Sequence, residues 1–190
     1  MSHEKFDVAR LESLNDPARF QTADPEVMWD ALGRPAPSTI VEIGSGTGLY
    51  AERFASMAPG ATVYAADIEP DMVKWMREHR AGGDRPIVPL LAGETTVPLE
   101  DGIADIVLML NLHHELADPR ASYAEALRLL RPDGSLLVSD WLPDAPSERP
   151  PRHVRVSAED IAGFLDDAGF IDVQTHAESD THSLVTGRRP

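Results

Sequence analysis

The sequence has 190 residues, of which 42% are hydrophobic and 26% are charged, a composition typical of one globular domain. Its 32 acidic and 17 basic side chains give a formal net charge of -15 at pH 7. Because a nucleic-acid-binding surface needs clustered Lys and Arg, this charge argues against nucleic acid as a substrate or partner. The sequence contains no cysteine, which excludes disulfides, Cys-ligated zinc and thiol nucleophiles within it.

The sequence contains no segment typical of a signal peptide or a membrane span. Residues 1–7 contain no apolar run suited to a signal peptide, and no stretch of about 18 consecutive apolar residues occurs anywhere. We therefore expect a cytoplasmic protein without a membrane span. We also expect it to be either a monomer or a homodimer.

Residues 1–36 are predicted to form a helical flap that includes a helix over 25–32 closed by Gly33. Simple packing of Phe6 and Phe20 is the alternative to a flap.

From about Thr39 onward, apolar runs alternate with helical patterns, which predicts a mostly parallel sheet with helices on both faces. These runs are continuous and rich in Val, Ile and Leu, as in strands covered on both sides. Two shorter strands, 170–175 and 183–186, follow, and the last is expected to be antiparallel. Residues 37–190 are thus predicted to form one Rossmann-like, doubly wound, seven-stranded α/β domain, whose first five strands span 39–43, 61–66, 87–91, 104–110 and 135–140.

The helices between these strands have recognisable ends. Helical spacing covers 49–57 and 72–79, and a third helix runs from 118 to about Arg131, where the segment 132–134 (Pro-Asp-Gly) ends it. Ser157 is placed to cap a fourth helix that ends at Gly169. The segment 141–152 contains four prolines and is predicted to be a loop across the open end of the sheet.

A glycine-rich segment joins the first predicted strand to the helix after it. It reads Gly44-Ser45-Gly46-Thr47-Gly48. Because glycine has no Cβ, a ligand can approach the backbone closely there, and the first amides of the next helix are available to it. The position between a buried strand and a helix favours a ligand-binding turn over a merely tight connection.

The residues around this turn distinguish between ligands. The spacing is G-x-G-x-G, whereas the dinucleotide fingerprint is G-x-G-x-x-G. Glu42 precedes the first glycine by two positions, where its carboxylate would repel a pyrophosphate and attract a cationic amino-acid group. Asp67 ends the second strand, where a carboxylate can accept hydrogen bonds from both ribose hydroxyls or, alternatively, cap the next helix. A sulfonium ligand with an ammonium group therefore fits better than NAD.

Four segments form an ordered series of motifs: 41–48 (VEIGSGTG), 67–72 (DIEPDM), 98–105 (PLEDGIAD) and 129–137 (LLRPDGSLL). This series resembles the class I S-adenosylmethionine-dependent methyltransferases, in particular the small branch similar to the ubiquinone/menaquinone-biosynthesis enzymes. The resemblance covers about residues 37–188. It implies that S-adenosylmethionine donates a methyl group to an oxygen, nitrogen or carbon atom of a small-molecule acceptor, with S-adenosylhomocysteine as the product.

The resemblance also implies cofactor contacts. Glu42 and Gly44 would lie near the methionine moiety, Asp67 would bind the ribose, and Ile68 and Met72 would flank the adenine. Where such enzymes have a Gly-Asp-Ala-like triplet, this sequence has 93–95 (Gly-Glu-Thr), so the acidic side chain is longer by one methylene. The predicted cofactor-binding residues are Glu42, Gly44, Ser45, Gly46, Gly48, Asp67, Ile68, Met72, Gly93, Glu94 and Asn111.

The acceptor chemistry is expected at the tip of the fourth predicted strand, beside the glycine turn. His113 and His114 are the candidate catalytic bases, since imidazole titrates near neutral pH and can take a proton from a hydroxyl group. Shaping the pocket or capping the next turn are the alternative roles for both. A metal ion is not expected, because the adjacent residues 113–115 rarely converge on one ion.

Two questions about the acceptor and the activity stay open in the sequence. Arg152, His153 and Arg155 form a basic cluster that either receives an anionic group of the acceptor or is a solvated surface. A non-catalytic S-adenosylmethionine-binding module is an alternative function, and an NAD-dependent oxidoreductase is a second one that Glu42 and the glycine spacing disfavour. The absence of cysteine separates the chain from the thiol-dependent arsenite methyltransferases.

Overall fold

The computed structural model describes residues 11, 13–82, 86–148, 150–176 and 179–190. Its strands form one seven-stranded sheet in the order β3-β2-β1-β4-β5-β7-β6, in which β7 runs in the opposite direction to the other six strands. This topology confirms the predicted doubly wound, mostly parallel sheet. The strands are β1 (Thr39–Ile43), β2 (Thr62–Asp67), β3 (Val88–Leu91), β4 (Ala104–Leu110), β5 (Leu130–Trp141), β6 (Ile171–His176) and β7 (His182–Arg188).

Helices cover both faces of this sheet. One buried cluster joins one face to the first helices, with Met28, Phe54 and Met76 among its fully buried members. A second joins the opposite face to the last two helices through residues such as Tyr123 and Ile161. The α-helices are α1 (Pro25–Ala31), α2 (Leu49–Met57), α3 (Pro70–His79), α4 (Pro119–Leu129) and α5 (Ala158–Ala168), and short 3-10 helices span Pro17–Gln21, His113–Glu115 and Arg152–Val154.

The helix ends follow local sequence signals in most places. Ser157 and Asp160 form a reciprocal capping box at the start of α5, and Gly169 ends that helix in the left-handed conformation at φ 96°. The predicted end of α4 near Arg131 was wrong. The helix ends at Leu129, because Leu130 is extended and its buried side chain begins β5 opposite Ala104.

The segment after Leu130 bulges out of the sheet before regular pairing resumes. Ala104 pairs with Leu130 and Ile106 pairs with Ser135, so the residues between them loop out of the register. A Cβ on Gly134 would lie 2.9 Å from the carbonyl oxygen of Arg131, so only glycine fits this tight loop. The Pro-Asp-Gly segment therefore interrupts a strand, where the sequence pattern predicted the end of a helix.

The proline-rich loop after β5 is fastened from within by Arg155. Its guanidinium donates hydrogen bonds of 2.7–2.9 Å to the carbonyl oxygens of Ala145, Ser147 and Pro150, and the residue is only 6% exposed. The prediction that Arg155 receives an anionic acceptor or is solvated was therefore wrong, since its donors are used inside the loop. Arg152 and His153 are exposed.

No helix within the described ranges is both long enough and apolar enough to span a membrane.

The strand order places a reversal beside β1. From β1 the chain continues to β2 and β3, which lie on one side of β1 within the sheet, and then returns to form β4 and β5 on the other side of β1. The carboxyl ends of β1 and β4 therefore meet at a topological switch point, the place where open α/β sheets form ligand crevices.

Candidate active site

A cavity of about 1080 Å³ opens at the carboxyl ends of β1, β2 and β4. Its lining combines residues from the predicted glycine turn, the end of β2 and the loop after β4. Of the predicted cofactor-binding residues, Gly48 alone is outside the lining. The others line it together: Glu42, Gly44, Ser45, Gly46, Asp67, Ile68, Met72, Gly93, Glu94 and Asn111.

The three glycines of the turn have different functions although all adopt positive φ (72°, 54° and 72°). A Cβ on Gly44 would lie 2.5 Å from the side chain of Leu112, and one on Gly48 would lie 2.7 Å from Ile87. Around a Cβ on Gly46 the nearest atom is a methyl group of Leu14 at 3.8 Å. A Cβ on Gly44 or Gly48 would thus force neighbouring side chains to move, whereas the space beside Gly46 is open.

Asp67 connects the turn to the start of α3. One carboxylate oxygen accepts a hydrogen bond of 2.6 Å from the Gly46 amide, and the other accepts one of 2.9 Å from the Glu69 amide. Burial raises the pKa of Asp67, and these two hydrogen bonds oppose that effect. A carboxylate offers about four acceptor positions, so Asp67 can hold the turn and still accept two ligand hydroxyls.

Glu42 is the most unusual group in the cavity. It is 2% exposed, and its Oε2 has no hydrogen-bond partner among the described residues. Burial raises the pKa of Glu42 to about 8, an effect that the positive charge of Arg19 partly offsets. An unpaired carboxyl oxygen in a cavity wall costs free energy, and a cationic ligand group would recover it.

Another part of the lining is suited to a flat apolar group. Ile68 follows β2 with 48% of its surface exposed, and Met72 in the first turn of α3 is buried. Gly93 and Thr96, which line the same cavity, form a short antiparallel bridge, and the exposed Glu94 lies between them in the sequence. The exposed isoleucine in this lining offers an apolar surface for a ring with polar edges.

The N-terminal segment also contributes to the cavity. Leu14 and Arg19 line it, and the Tyr50 hydroxyl donates to the carbonyl oxygen of Ala23, which anchors this segment on α2. Phe20 packs edge-on against Tyr50. Residues 1–10, including Phe6, lie outside the described residues, so the flap proposed for residues 1–36 stays a prediction.

Arg80, which no motif in the sequence indicates, holds the glycine turn in place. Its Nε donates a 2.6 Å hydrogen bond to the Thr47 carbonyl oxygen, one terminal nitrogen pairs with Glu52, and the other donates to Asn15. A buried arginine with three partners is a strong crosslink because charge-assisted hydrogen bonds are stronger than neutral ones. Its position at the end of a helix gave no sequence signal for this role.

The two predicted catalytic histidines have different surroundings. His113 is buried, its Nδ1 lies 2.7 Å from the Tyr123 hydroxyl, and its ring packs against Phe164. Burial lowers the pKa of His113, since it disfavours the charged imidazolium. Neither His113 nor His114 belongs to the described lining of the cavity.

His114 is paired with a buried carboxylate instead. Its Nδ1 lies 2.8 Å from Oδ1 of Asp140, which is 1% exposed and comes from the end of β5. Its Nε2 lies 3.9 Å from Oε1 of Glu115, and Glu115 lines the cavity. A carboxylate on Nδ1 orients an imidazole and leaves Nε2 available as a base. Asp140 was missed, although its place at the end of a predicted strand could have identified it.

No cluster of three or more His, Cys, Asp or Glu that could hold a metal occurs in the described part of the chain. Asn111 closes the cavity at the tip of β4 in a positive-φ conformation at 54°, and its Oδ1 lies 2.9 Å from Nε2 of His182. The site thus combines a carboxyl group for a cation, a second carboxylate with free acceptor positions, an apolar wall and a carboxamide.

Comparisons with known proteins agree with this geometry. A malonyl-[acyl-carrier protein] O-methyltransferase of Hahella chejuensis is 32% identical over 106 residues, which is 56% of this chain and 37% of that protein. A demethylmenaquinone methyltransferase of Thermus thermophilus is 32% identical over 108 residues, 57% of this chain and 49% of that protein. The chain therefore spans half or less of the length of these curated relatives.

A solved structure matches nearly the whole chain. The S-adenosylmethionine-dependent methyltransferase from Aquifex aeolicus superposes with a TM-score of 0.87 at 27% identity and covers 98% of this chain and 100% of its own. Residues 41–138, just over half of the sequence, match the family described as methyltransferase domain. The chain therefore belongs to this methyltransferase-domain family and has the class I, S-adenosylmethionine-dependent methyltransferase fold.

Proposed function

We propose that this chain binds S-adenosylmethionine and transfers its methyl group to a small-molecule acceptor. The observation that carries this proposal is the pair of carboxyl groups on either side of the glycine turn. Glu42 offers an unpartnered buried oxygen, and Asp67 has acceptor positions left beyond its two backbone hydrogen bonds. These two groups match the ammonium group and the ribose hydroxyls of the cofactor.

The other cavity residues fit the rest of the cofactor. The exposed Ile68 and the buried Met72 would hold the adenine, and Gly46 would allow the methionine part to approach the backbone. Ser45, Gly93, Glu94 and Asn111 are proposed to complete this set, because all four line the same cavity. When bound, S-adenosylmethionine supplies a methyl group on a positively charged sulfur, so the protein mainly has to align an acceptor atom with it.

The proposal of a small acceptor rests on the volume of the cavity and the net charge of the chain. The whole cavity has a volume of about 1080 Å³, and a net charge of -15 disfavours nucleic acid. The names of the relatives, a demethylmenaquinone methyltransferase and a malonyl-[acyl-carrier protein] O-methyltransferase, make a hydroquinone and a carboxylate the first acceptors to test. A cytoplasmic location is proposed with this function.

Calorimetry with S-adenosylmethionine and S-adenosylhomocysteine tests the first step. We expect both to bind, and a folded protein that binds neither would refute the proposal. A panel of phenols, hydroquinones, amines and carboxylates then separates an enzyme from a non-catalytic binding module, which would bind the cofactor and methylate nothing. An NAD-dependent oxidoreductase would instead bind NADH, which a change in NADH fluorescence would reveal.

Replacing Gly46 by alanine is expected to block the cofactor without unfolding the protein. The new Cβ would meet only Leu14 at 3.8 Å in the protein, so stability should fall by about 1 kcal/mol from backbone strain alone. In the cavity the same methyl group would occupy the space of the ligand, and S-adenosylhomocysteine binding should weaken at least about tenfold.

The matched control is Gly33→Ala. Gly33 has a similar positive φ of 76°, and a Cβ there would meet no atom within 4 Å. It is outside the cavity lining, so the variant should share the loss of stability and keep the affinity. Equal affinities for the Gly46 and Gly33 variants would show that Gly46 does not contact the cofactor.

His114 is proposed as the general base for acceptors that carry a proton, with Asp140 as the carboxylate that orients it. His114→Gln should lower kcat by about 100-fold or more and leave S-adenosylhomocysteine affinity unchanged, since general bases contribute 100- to 10,000-fold. The control variant is His153→Gln, because His153 is exposed.

His113→Gln should mainly lower the melting temperature, because His113 is buried against Tyr123 and Phe164. The reverse pattern would make His113 the base.

A further inference from the structure

A chain of hydrogen bonds runs from the N-terminal segment to the cavity wall. The Ser179 hydroxyl donates to the Thr22 carbonyl oxygen at 3.0 Å and accepts hydrogen bonds from the amides of Thr181 and His182. The Thr181 hydroxyl lies 2.9 Å from Nδ1 of His182, and Nε2 of His182 lies 2.9 Å from Oδ1 of Asn111. The chain therefore ends on a residue that lines the cavity.

The direction of this chain follows from counting donors and acceptors. Oδ1 of Asn111 carries no hydrogen, so the 2.9 Å hydrogen bond between it and Nε2 of His182 is donated by Nε2–H. In a neutral imidazole the other ring nitrogen is then an acceptor, so Nδ1 of His182 accepts from the Thr181 hydroxyl. The Ser179 hydroxyl lies 3.0 Å from that of Thr181 and continues the chain to the Thr22 carbonyl oxygen.

The ring of His182 is held in this arrangement. It is 2% exposed and packs against Trp141, with ring centroids 4.2 Å apart. Burial, with smaller contributions from the charges of Arg19 and His114, lowers the pKa of His182 to about 4, although the carboxylate of Asp140 opposes this effect. The ring is therefore neutral across the physiological range, as the chain of hydrogen bonds requires.

The hydrogen bond from His182 determines which end of the Asn111 carboxamide is available. The oxygen is used by His182, and no hydrogen bond from the amide nitrogen to another described residue is found. The backbone of Asn111 is fixed as well, because its amide donates to the Ser139 carbonyl oxygen and its φ of 54° places it in the left-handed region. Asn111 thus offers two N–H donors in a defined position on the cavity wall.

We propose that His182 is a positioning residue that holds the Asn111 carboxamide so that one of its two N–H groups serves the cofactor and the other donates a hydrogen bond to an oxygen atom of the methyl acceptor. This proposal rests on the proposed function. The expected acceptors are compounds with a carbonyl, carboxyl or phenolic oxygen near the methylated atom. Because His182 lies on β7, this strand would contribute to substrate selection.

The first test is the tautomer of His182, measured by long-range 15N–1H NMR on the full chain with and without S-adenosylhomocysteine. We expect a neutral ring protonated on Nε2 down to about pH 5. A ring protonated on Nδ1, or one that titrates at its ordinary value of 6.5, would overturn the proposal. His182→Phe keeps an aromatic ring without the donor, and it should make the Asn111 side-chain amide mobile in 15N relaxation measurements.

The second test uses acetophenone and α-methylstyrene, which have the same shape but differ in that only the first has a carbonyl oxygen. Added to the S-adenosylhomocysteine complex up to their solubility limits, acetophenone should shift the Asn111 side-chain amide resonances and α-methylstyrene should not. His182→Phe should weaken acetophenone binding about tenfold, the effect of about one hydrogen bond. His182→Gln, which retains an N–H donor, should restore part of it.

The control variant is His176→Phe, which removes another sheet histidine that is bonded to the Thr186 hydroxyl and does not line the cavity. It should bind acetophenone like the unmodified chain. Failure of S-adenosylhomocysteine to bind would refute the proposed function itself. If the cofactor product binds but acetophenone causes no further shift of the Asn111 side-chain amide resonances, the inference about the acceptor is wrong.

Discussion

Replacing Asp67 by alanine is expected to weaken S-adenosylhomocysteine binding at least about 100-fold. Charge-assisted hydrogen bonds to the ribose hydroxyls contribute about 1.5–3 kcal/mol, which alone corresponds to about 10- to 150-fold. The variant also removes the acceptor for the Gly46 amide at 2.6 Å and for the Glu69 amide at 2.9 Å. The glycine turn and the start of α3 would then lose the group that aligns them. Calorimetry measures the affinity, and circular dichroism verifies that the chain is folded.

Asp71→Ala is the matched control for this experiment. Asp71 is an exposed aspartate in the first turn of α3, and it lines the same cavity. Because a solvated carboxylate contributes little, its loss should change the affinity less than about threefold. If the Asp67 and Asp71 variants lose the same affinity, the general negative charge of the cavity would be responsible, and the ribose contact would be refuted.

Glu42→Gln is expected to make the ligand-free protein more stable at high pH and the cofactor complex weaker. The pKa of Glu42 rises from an ordinary 4.5 to about 8 in the folded chain, so the folded state holds one more proton between these values. The free energy of unfolding must then fall as pH increases from about 4.5 to about 8. Glutamine has no proton to lose, so the variant should lack this slope. Its advantage above pH 8 should be on the order of a few kcal/mol.

The same carboxyl group should connect cofactor binding to proton release. A cationic ammonium beside Glu42 stabilises the carboxylate, so its pKa falls when the ligand binds and a proton leaves the protein near pH 7. Titrations of S-adenosylhomocysteine in phosphate and in Tris buffer, which differ in ionisation enthalpy, should give different heats for the unmodified chain. The heats for Glu42→Gln should be equal, with about 10- to 100-fold weaker binding.

Two results would contradict this account of Glu42. If thermal melts of the unmodified chain and the variant show the same pH dependence between pH 5 and 8, the carboxyl group is already ionised in the free protein. If the binding heat does not depend on the buffer, no proton is released, and the ammonium group is bound elsewhere. Gln21→Glu adds a carboxyl group at an exposed position, and this control should not change the slope.

The parts of the fold that the sequence predicted are those set by local chemistry. The capping box at Ser157, the left-handed Gly169 and the glycine turn all depend on residues a few positions apart. The end of α4 could not be predicted in this way. Leu130 leaves the helix because β4 offers it a buried partner in Ala104, and that contact exists only once the sheet has formed.

The same difference applies to the candidate site: residues in local motifs could be predicted, and residues that depend on distant partners could not. Glu42 and Asp67 lie at the carboxyl ends of β1 and β2, so motif spacing identified both. Arg19, Asp140 and His182 come from distant segments, and their importance depends on partners that are far away in sequence. No local pattern distinguishes His182, which pairs with a residue 71 positions earlier, from the other histidines.

The order of the strands has a consequence for how such a chain can diversify. The residues that line the cavity all lie before Ser139, whereas Asp140 and His182, which hold His114 and Asn111 from behind, lie on β5 and β7 on the other side of the switch point. Recombination after Ser139 would therefore exchange these supporting residues and leave the cavity lining intact. A hybrid with residues 140–190 of a homologue would then change the acceptor specificity in a single exchange and retain the same methyl donor.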